Sequence, residues 1–356
     1  MSNSPRSISP FEVHGVAFSR ILDIRSLAAS MPSIRDAVPV TADEVASHPE
    51  QFIPSTATRT LIVCDIGIRS AIVTDLLRAV GYGHAVSLDG GMEGWLDAGL
   101  PVDAPEGLTP EQYRRYDRQL KVPDFGVTGQ QALNRAGVAV VGAGGLGAPV
   151  LAYLAGVGVG RITVIDSDEV QISNLHRQPI YTAGDVGSRK AATAASFISA
   201  LNPTVEVDEQ ALHLDGANAE EMLAGHDIVV TCTDSFETAH AINAAAVKLG
   251  IPMVFGSVYR TEGQLSVFDA AAGPCYACVF PSNREGPAQN CSIVGVLGPV
   301  TGVIGSMQAA EVVKLLTGIG EPSIGRLGLY DAGTQTMDTV TIRKNRACAV
   351  CGPSTN

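Results

Sequence analysis

Val138-Ala-Val-Val-Gly142-Ala-Gly144-Gly145-Leu-Gly147 is an apolar run that stops on a glycine-rich turn, and Arg161-Ile-Thr-Val-Ile-Asp166 follows it. The first run predicts a strand over Val138–Val141, a tight turn, and a helix starting near Gly145. The second predicts another strand ending in an acidic residue, so together they read as a βαβ unit. Glycines let the backbone approach phosphate oxygens without a Cβ clash. The helix N-terminus adds unpaired N–H groups. Asp166, about twenty residues on, is placed to bond ribose hydroxyls. Gly142, Gly144, Gly145 and Asp166 are therefore read as a nucleotide site. At this point NAD and ATP fit equally well.

Outward from Asp166, the segment Ser167-Asp168-Glu-Val-Gln-Ile-Ser173-Asn174-Leu-His176-Arg177-Gln178 is polar. It carries Arg177, and Lys190 follows on an expected helix. Two cations near one phosphate site suit a triphosphate better than a dinucleotide; otherwise they are ordinary surface charges. Asp234, in Thr231-Cys-Thr-Asp234-Ser235, stands just past an expected strand at Asp227–Thr231. A carboxylate there could hold Mg²⁺ beside the phosphates, or cap the next helix. Further strands are expected at Met253–Gly256 and Gln264–Asp269, and a helix near Val300–Thr317.

Two Cys-x-x-Cys pairs, Cys275/Cys278 and Cys348/Cys351, complete the C-terminal half. Each places two thiolates on one metal, and together they ask for a closed tetrahedral zinc. A site without an open position is structural, tying the tail back to the sheet region. Redox-active pairs are the alternative. Seven cysteines in 356 residues are few for a disulfide scaffold, which favours a reducing, cytoplasmic setting. Cys232, beside an expected strand, reads as core. Cys291 follows a polar loop with glycine and proline, where an exposed thiol can be reactive.

The net charge of −12, from 24 basic and 36 acidic residues, argues against a nucleic-acid-binding surface. The first ten residues have no apolar core, so no signal peptide is expected. The charge-free stretches Gly137–Gly160 and Ser292–Ala310 are broken by glycines and proline, and are read as buried elements of an α/β core rather than membrane spans.

Pro101-Val-Asp-Ala-Pro105-Glu-Gly107-Leu-Thr-Pro110 reads as a linker. It gives two domains, 1–104 and 105–356. In the first, apolar runs at Ile21–Ile24, Thr60–Cys64 and Ala85–Leu88 are strands. A helix is expected over about Ser70–Val80, and Trp95 lies on a short helix. The alternation predicts a small α/β domain with a largely parallel sheet.

Residues 109–352 resemble the sulfur-carrier-protein adenylyltransferases, the molybdopterin-synthase and thiamine-type activating enzymes related to ubiquitin-activating enzymes. The resemblance rests on Arg115-Tyr116-Asp117-Arg118-Gln119, the glycine turn, Asp166, Ser173 to Gln178, Lys190, Thr233-Asp234, the four paired cysteines and Asn290-Cys291. It implies a Rossmann-like adenylation domain with a structural zinc. The implied reaction is ATP-dependent adenylation of a small ubiquitin-like sulfur carrier protein ending in Gly-Gly. By resemblance, Asp166 binds ribose, while Asn174, Arg177 and Lys190 handle phosphates. Ser173, Gln178 and Ser235 belong to the same nucleotide site, and Asp234 coordinates Mg²⁺. Arg118 would reach the ATP of a neighbouring subunit, so a homodimer is expected. The cysteine matching Cys291 attacks the carrier adenylate or joins a sulfur-linked intermediate.

Residues 20–104 resemble a rhodanese domain through Leu22-Asp23-Ile24-Arg25, Cys64-x-x-Gly67-x-Arg69-Ser70, and the run from Leu88 through Gly90-Gly91 and Trp95 to Pro101. The implied role is to take sulfane sulfur from a persulfide donor onto Cys64 and deliver it to the adenylated carrier as a thiocarboxylate. Loop N–H groups and a helix dipole would stabilise the thiolate, with Arg69 adding positive charge. Asp65 and Ile66 depart from the family's loop, and a carboxylate beside the nucleophile opposes thiolate formation. Two other readings stand beside this one: adenylation with a degenerate rhodanese docking domain, and a zinc-containing NAD-dependent oxidoreductase.

Overall fold

The structure is a computed structural model, and it describes residues 5–13, 15–25, 31–103, 107–282 and 295–352. The chain divides into two compact units, Met1–Val127 and Thr128–Asn356.

The N-terminal unit holds a five-stranded sheet built from β1 (Ser7–Ile8), β2 (Arg20–Asp23), β3 (Val38–Pro39), β4 (Thr60–Val63) and β5 (Ala85–Leu88). Their order is β1-β5-β4-β2-β3, and every pairing is parallel. The central strand β4, Thr-Leu-Ile-Val, is buried at all four positions, as a parallel strand covered on both faces should be. One face carries Leu22, Ile62, Val73 and Leu77, and the other Leu61, Val63, Val86, Met92 and Trp95. The packing division falls later than the composition break near residue 104. The helix Pro110–Leu120 counts with the first unit because Arg114 pairs with Asp97 at 2.8 Å and Lys121 with Asp65 at 3.3 Å.

The C-terminal unit is built on eight strands: β6 (Gly137–Val141), β7 (Arg161–Ile165), β8 (Glu206–Gln210), β9 (Ile228–Thr231), β10 (Met253–Tyr259), β11 (Glu262–Phe268), β12 (Arg326–Asp331) and β13 (Thr336–Thr341). Their order is β13-β12-β11-β10-β9-β6-β7-β8. From β8 to β10 the pairings are parallel, and β10 to β13 are antiparallel. The chain runs from β6 outward to β7 and β8, then returns to β9 on the other side of β6. Strand order therefore reverses between β6 and β9, which is where doubly wound sheets open a ligand crevice.

The segment Gly137–Gly160 resolves into β6, the glycine turn and the helix Gly147–Val157. The second charge-free stretch contributes the helix Gly298–Thr317. No helix among the described residues is long and apolar enough to cross a membrane.

Candidate functional site

Three loops meet at the carboxyl ends of β6, β7 and β9. The first is the glycine turn. Gly142 has φ +97°, and a Cβ there would sit 2.7 Å from the Cys232 carbonyl oxygen. Only glycine fits that conformation and that approach. A Cβ on Gly147 would run into the Gly142 carbonyl oxygen, so the turn and the helix behind it pack backbone to backbone.

Asp166 directly follows β7 and is 7% exposed. Its Oδ2 accepts the Ala143 N–H at 2.7 Å, and its Oδ1 accepts the Asp168 N–H at 2.8 Å. The carboxylate thus locks the glycine turn to the next loop. Tyr181 holds the same turn from behind, its hydroxyl donating to the Ala143 carbonyl at 2.8 Å. Burial and the carboxylates of Asp166, Asp168 and Asp185 push its pKa up, so it stays a donor.

Lys190 is the first residue of the helix Lys190–Leu201. Its side chain is 7% exposed, and Nζ meets Asp168 Oδ2 at 2.7 Å. A buried cation at the positive end of a helix is electrostatically adverse. It makes sense where an anion is to be bound, with Asp168 as its partner meanwhile. Asp168 lay in the quoted polar segment but had no role assigned from sequence; pairing across 22 residues leaves no periodic mark.

The Ser173–Gln178 segment forms a short turn after β7. Asn174 is buried and accepts the Gln171 N–H at 3.0 Å. Gln178 is 2% exposed, with Oε1 lacking a partner and Nε2 beside Gly144. Arg177 Nη1 donates to the Ser173 carbonyl at 3.0 Å and meets His176 Nε2 at 3.0 Å. A Cβ on Gly298 would strike the His176 carbonyl oxygen, so the start of the helix Gly298–Thr317 closes onto this segment.

Past β9, Asp234 is exposed. The helix Phe236–Leu249 is capped by Ser235, whose Oγ accepts the Thr238 N–H at 3.1 Å. Capping therefore falls to Ser235, and the Asp234 carboxylate is left for other work. Cys232 is buried beside Gln308, and burial pushes its thiol pKa up; it is core, as its place next to a strand suggested.

The sulfurs of Cys275, Cys278, Cys348 and Cys351 all lie within 4.8 Å of one another. Cys275–Cys278 is 3.8 Å, Cys275–Cys348 is 3.7 Å and Cys278–Cys351 is 3.4 Å. A tetrahedron with zinc–sulfur bonds of about 2.3 Å has edges of about 3.8 Å, so the four ligands fit that ion. Burial pushes the Cys275 and Cys278 thiols up. Burial opposes ionisation of Cys348 too, but the N–H groups of Cys351 and Val350 hold it at about 7. The Asn345 N–H also points at Cys278 Sγ, at 3.4 Å.

In the N-terminal unit, Cys64 follows β4 and is 1% exposed. Its Sγ receives the N–H of Gly67 at 3.2 Å and of Ser70 at 3.3 Å, with Ser70 Oγ at 3.3 Å. Those donors belong to the loop and first turn of the helix Ile68–Ala79. Arg69 pairs with Asp65 rather than with the sulfur. Burial would raise the Asp65 pKa, but Lys121 and Arg69 outweigh it and hold the carboxyl below its usual range. The charge that opposed a thiolate is thus answered by two cations. Gly90-Gly91 packs against this loop: a Cβ on Gly91 would lie 2.6 Å from the Asp65 carbonyl oxygen.

Arg118 stands on the helix Pro110–Leu120 of the N-terminal unit, where it lines a cavity with Cys64. Asn290 and Cys291 lie outside the described residues.

The model of the ThiF family matches residues 116–350, and that of the rhodanese-like domain matches residues 12–98. A sulfur carrier protein adenylyltransferase of Thermus thermophilus is 47% identical over 250 residues, 68% of this chain and 92% of that protein. The adenylyltransferase and sulfurtransferase MOCS3 of Arabidopsis thaliana is 45% identical over 260 residues; the match takes in 72% of this chain but only 56% of the plant protein. A SAMP-activating enzyme E1 of Haloferax volcanii is 44% identical over 246 residues, covering 69% and 91% of the two chains. A crystal structure of E. coli MccB with ATP superposes with a TM-score of 0.59 at 24% identity, over 70% of this chain and 76% of that one. That likeness concerns the fold.

Proposed function

The chain belongs to the ThiF family, and from that premise we propose that it adenylates the C-terminal carboxylate of a small ubiquitin-like sulfur carrier protein and then passes it sulfur from Cys64. The observation that carries the first half is the crevice between β6 and β9. There Asp166 bonds the glycine turn and the Asp168 N–H, and Asp168 pairs with Lys190, while Asp234 follows β9.

In the adenylation step the carrier carboxylate attacks the α-phosphorus of ATP and pyrophosphate leaves. A carboxylate is a weak nucleophile and phosphates repel it, so the site must neutralise charge and hold the reactants in line. Asp166 takes the ribose. Lys190, Asn174 and Arg177 take the phosphates, with Ser173, Gln178 and Ser235 lining the same nucleotide. Lys190 exchanges Asp168 for a phosphate, so its charge is already placed when the substrate arrives. Asp234 would hold Mg²⁺, whose charge screens the leaving pyrophosphate. Arg118 is assigned to the nucleotide of a second subunit, which makes the enzyme a homodimer. Zinc on Cys275, Cys278, Cys348 and Cys351 is structural and fastens the tail. Its thiolates suit a reducing, cytoplasmic compartment.

For the second half, Cys64 receives sulfane sulfur from a persulfide donor. The terminal sulfur of its persulfide attacks the acyl carbon and AMP leaves. A thiol, for which Cys291 is the candidate, then opens the acyl disulfide: it bonds to the Cys64 sulfur and the thiocarboxylate departs. The two backbone N–H donors on Cys64 Sγ, from Gly67 and Ser70, favour this over a degenerate docking domain. The oxidoreductase reading gives Lys190 and Asp234 nothing to do.

The test is ATP–pyrophosphate exchange. Labelled pyrophosphate should enter ATP only when a carrier ending in Gly-Gly is present. Exchange independent of any carrier, or none with any Gly-Gly carrier, would remove the proposal.

A further inference from the structure

The helix Ile68–Ala79 leads directly out of the Cys64 loop and buries one side only. Ser70, Val73, Thr74 and Leu77 are buried, with Val73 and Leu77 packed beside Leu22 and Ile62 of the sheet. On the other side Ile68, Ile72, Leu76 and, at the C-cap, Val80 recur every four residues, each at least half exposed. Ile66, in the loop itself, is half exposed as well. Residues four apart on a helix stand one above the other, so these side chains form one apolar stripe. The charges beside it are answered within the unit: Arg69 pairs with Asp65, and Asp75 with Arg6. Five aliphatic side chains in water do nothing for the fold, and a contiguous patch of this kind marks an interaction site.

Two observations bear on what covers the stripe. Ile66 and Ile68 also line the cavity of about 1400 Å³ that Cys64 lines, so the stripe starts at the sulfur site and runs away from it. Cys64 itself is almost wholly buried, so whatever meets its sulfur is narrow. A Gly-Gly tail has no side chains and can thread such a space, while the folded body behind it stays outside, where the stripe begins. The second observation is size. The stripe amounts to roughly a few hundred Å², short of the about 800 Å² per partner that a standard stable interface buries. That suits a partner that docks, takes its sulfur and leaves, rather than a permanent second copy of the chain. With its flanking charges already paired, the stripe calls for an apolar patch on that partner.

We infer that Ile68, Ile72, Leu76 and Val80 form the docking face for the folded body of the small carrier protein while its Gly-Gly tail enters the Cys64 cavity. The inference rests on the reading that Cys64 hands sulfur to that carrier. Docking on this face serves the sulfur-transfer step alone. Adenylation belongs to the crevice of the C-terminal unit, and a small sulfur donor or acceptor needs no docking face. The stripe contributes to binding, so its loss is felt in the KM for the carrier.

The experiment uses the full-length chain with ATP, Mg²⁺, thiosulfate, a reducing thiol and a carrier ending in Gly-Gly, and follows carrier thiocarboxylate by intact mass spectrometry. Ile72 and Leu76 are exposed and do not line the cavity. The double variant Ile72→Lys, Leu76→Lys should form thiocarboxylate about tenfold more slowly or worse at low carrier concentration, the loss of an interface hot spot. Its pyrophosphate exchange, its thiosulfate-to-cyanide transfer and its melting temperature should match the parent's. The apolar pair Ile72→Leu, Leu76→Met should keep the parental rate. Parental thiocarboxylate formation in the lysine variant overturns this inference and leaves the sulfur-carrier reading standing. So does an equal fall in thiosulfate-to-cyanide transfer, which would make the stripe a support for the Cys64 loop. A change of oligomeric state on size exclusion also overturns it, by giving the face to a second copy. No thiocarboxylate from the unsubstituted chain overturns both.

Discussion

Lys190 Nζ lies 2.7 Å from Asp168 Oδ2 with the lysine side chain almost wholly buried, at the end of a helix where the backbone dipole already provides positive charge. Fold stability alone would not choose that position for a lysine. A polyanion entering the crevice takes over from Asp168 as partner, and both the charge and the helix end then favour binding.

Lys190→Ala should therefore lower carrier-dependent pyrophosphate exchange by about a hundredfold or more, the usual loss when a charge facing the transition state is removed. Lys190→Arg should not restore it, since a planar guanidinium cannot replace a point charge in a closed site. Initial-rate exchange assays on both variants check this; parental rates in Lys190→Ala would contradict it.

Zinc analysis should find one ion per chain, matching the single four-sulfur cluster among the described residues. Cys275→Ser should release the ion and lower the melting temperature by several degrees. Small zinc peptides gain about 10 kcal/mol or more from the ion, but the helix-covered sheet here has a core of its own. Metal quantification with a thermal melt on the same sample decides it. Full metal content in the variant would show that Cys275 is no ligand.

Cys64→Ala should abolish sulfur transfer from thiosulfate and leave pyrophosphate exchange intact, because Cys64 belongs to the N-terminal unit and the nucleotide crevice to the C-terminal one. Equal sulfurtransferase rates in variant and parent would make the N-terminal unit a docking module.

Asp65 gives a pH signature. Its folded-state pKa is lowered by Lys121 and Arg69 against the opposing effect of burial. A depressed carboxyl contributes stability in full above its ordinary pKa, 3.8, and loses that contribution as pH falls through the depressed value. Asp65→Asn should flatten the acid limb of the stability curve and leave the neutral region only slightly lower, since partly exposed ion pairs are worth little. Denaturant melts across the acid range measure it; an unchanged acid limb would contradict it.

Gly91→Ala should destabilise the N-terminal unit by about 2 kcal/mol or more. The residue has φ +58°, and a Cβ would press on the Asp65 carbonyl. The same clash moves the Cys64 loop, so sulfur transfer should fall with stability. A variant with parental melting temperature and rate would remove the packing argument.

Strands with apolar residues on both faces were legible within a residue or two, as β5 at Ala85–Leu88 and β6 at Gly137–Val141 illustrate. Three were not. β8 reads Glu-Val-Asp-Glu-Gln, β13 is exposed at all six positions, and β12 is only partly buried. These lie at the sheet's margins, held by backbone hydrogen bonds to one neighbour or two, so their side chains carry no burial pattern. The four-cysteine site was plain because the chemistry constrains spacing. The Asp168–Lys190 pair and the Tyr181 hydroxyl on the glycine turn left no such trace. They depend on residues brought together by the fold, and no local rule encodes that. Ser235 as the helix cap, with Asp234 free beside it, was resolved only by geometry, because either residue type caps well.

Transfer of AMP to a protein's C-terminal carboxylate is read out by intact mass spectrometry of a Gly-Gly-ending carrier incubated with the enzyme, ATP and Mg²⁺. The carrier should gain the mass of one adenylyl group, discharged by hydroxylamine and missing with the Lys190→Ala enzyme. A carrier left unmodified, or one gaining phosphate instead of AMP, would contradict it.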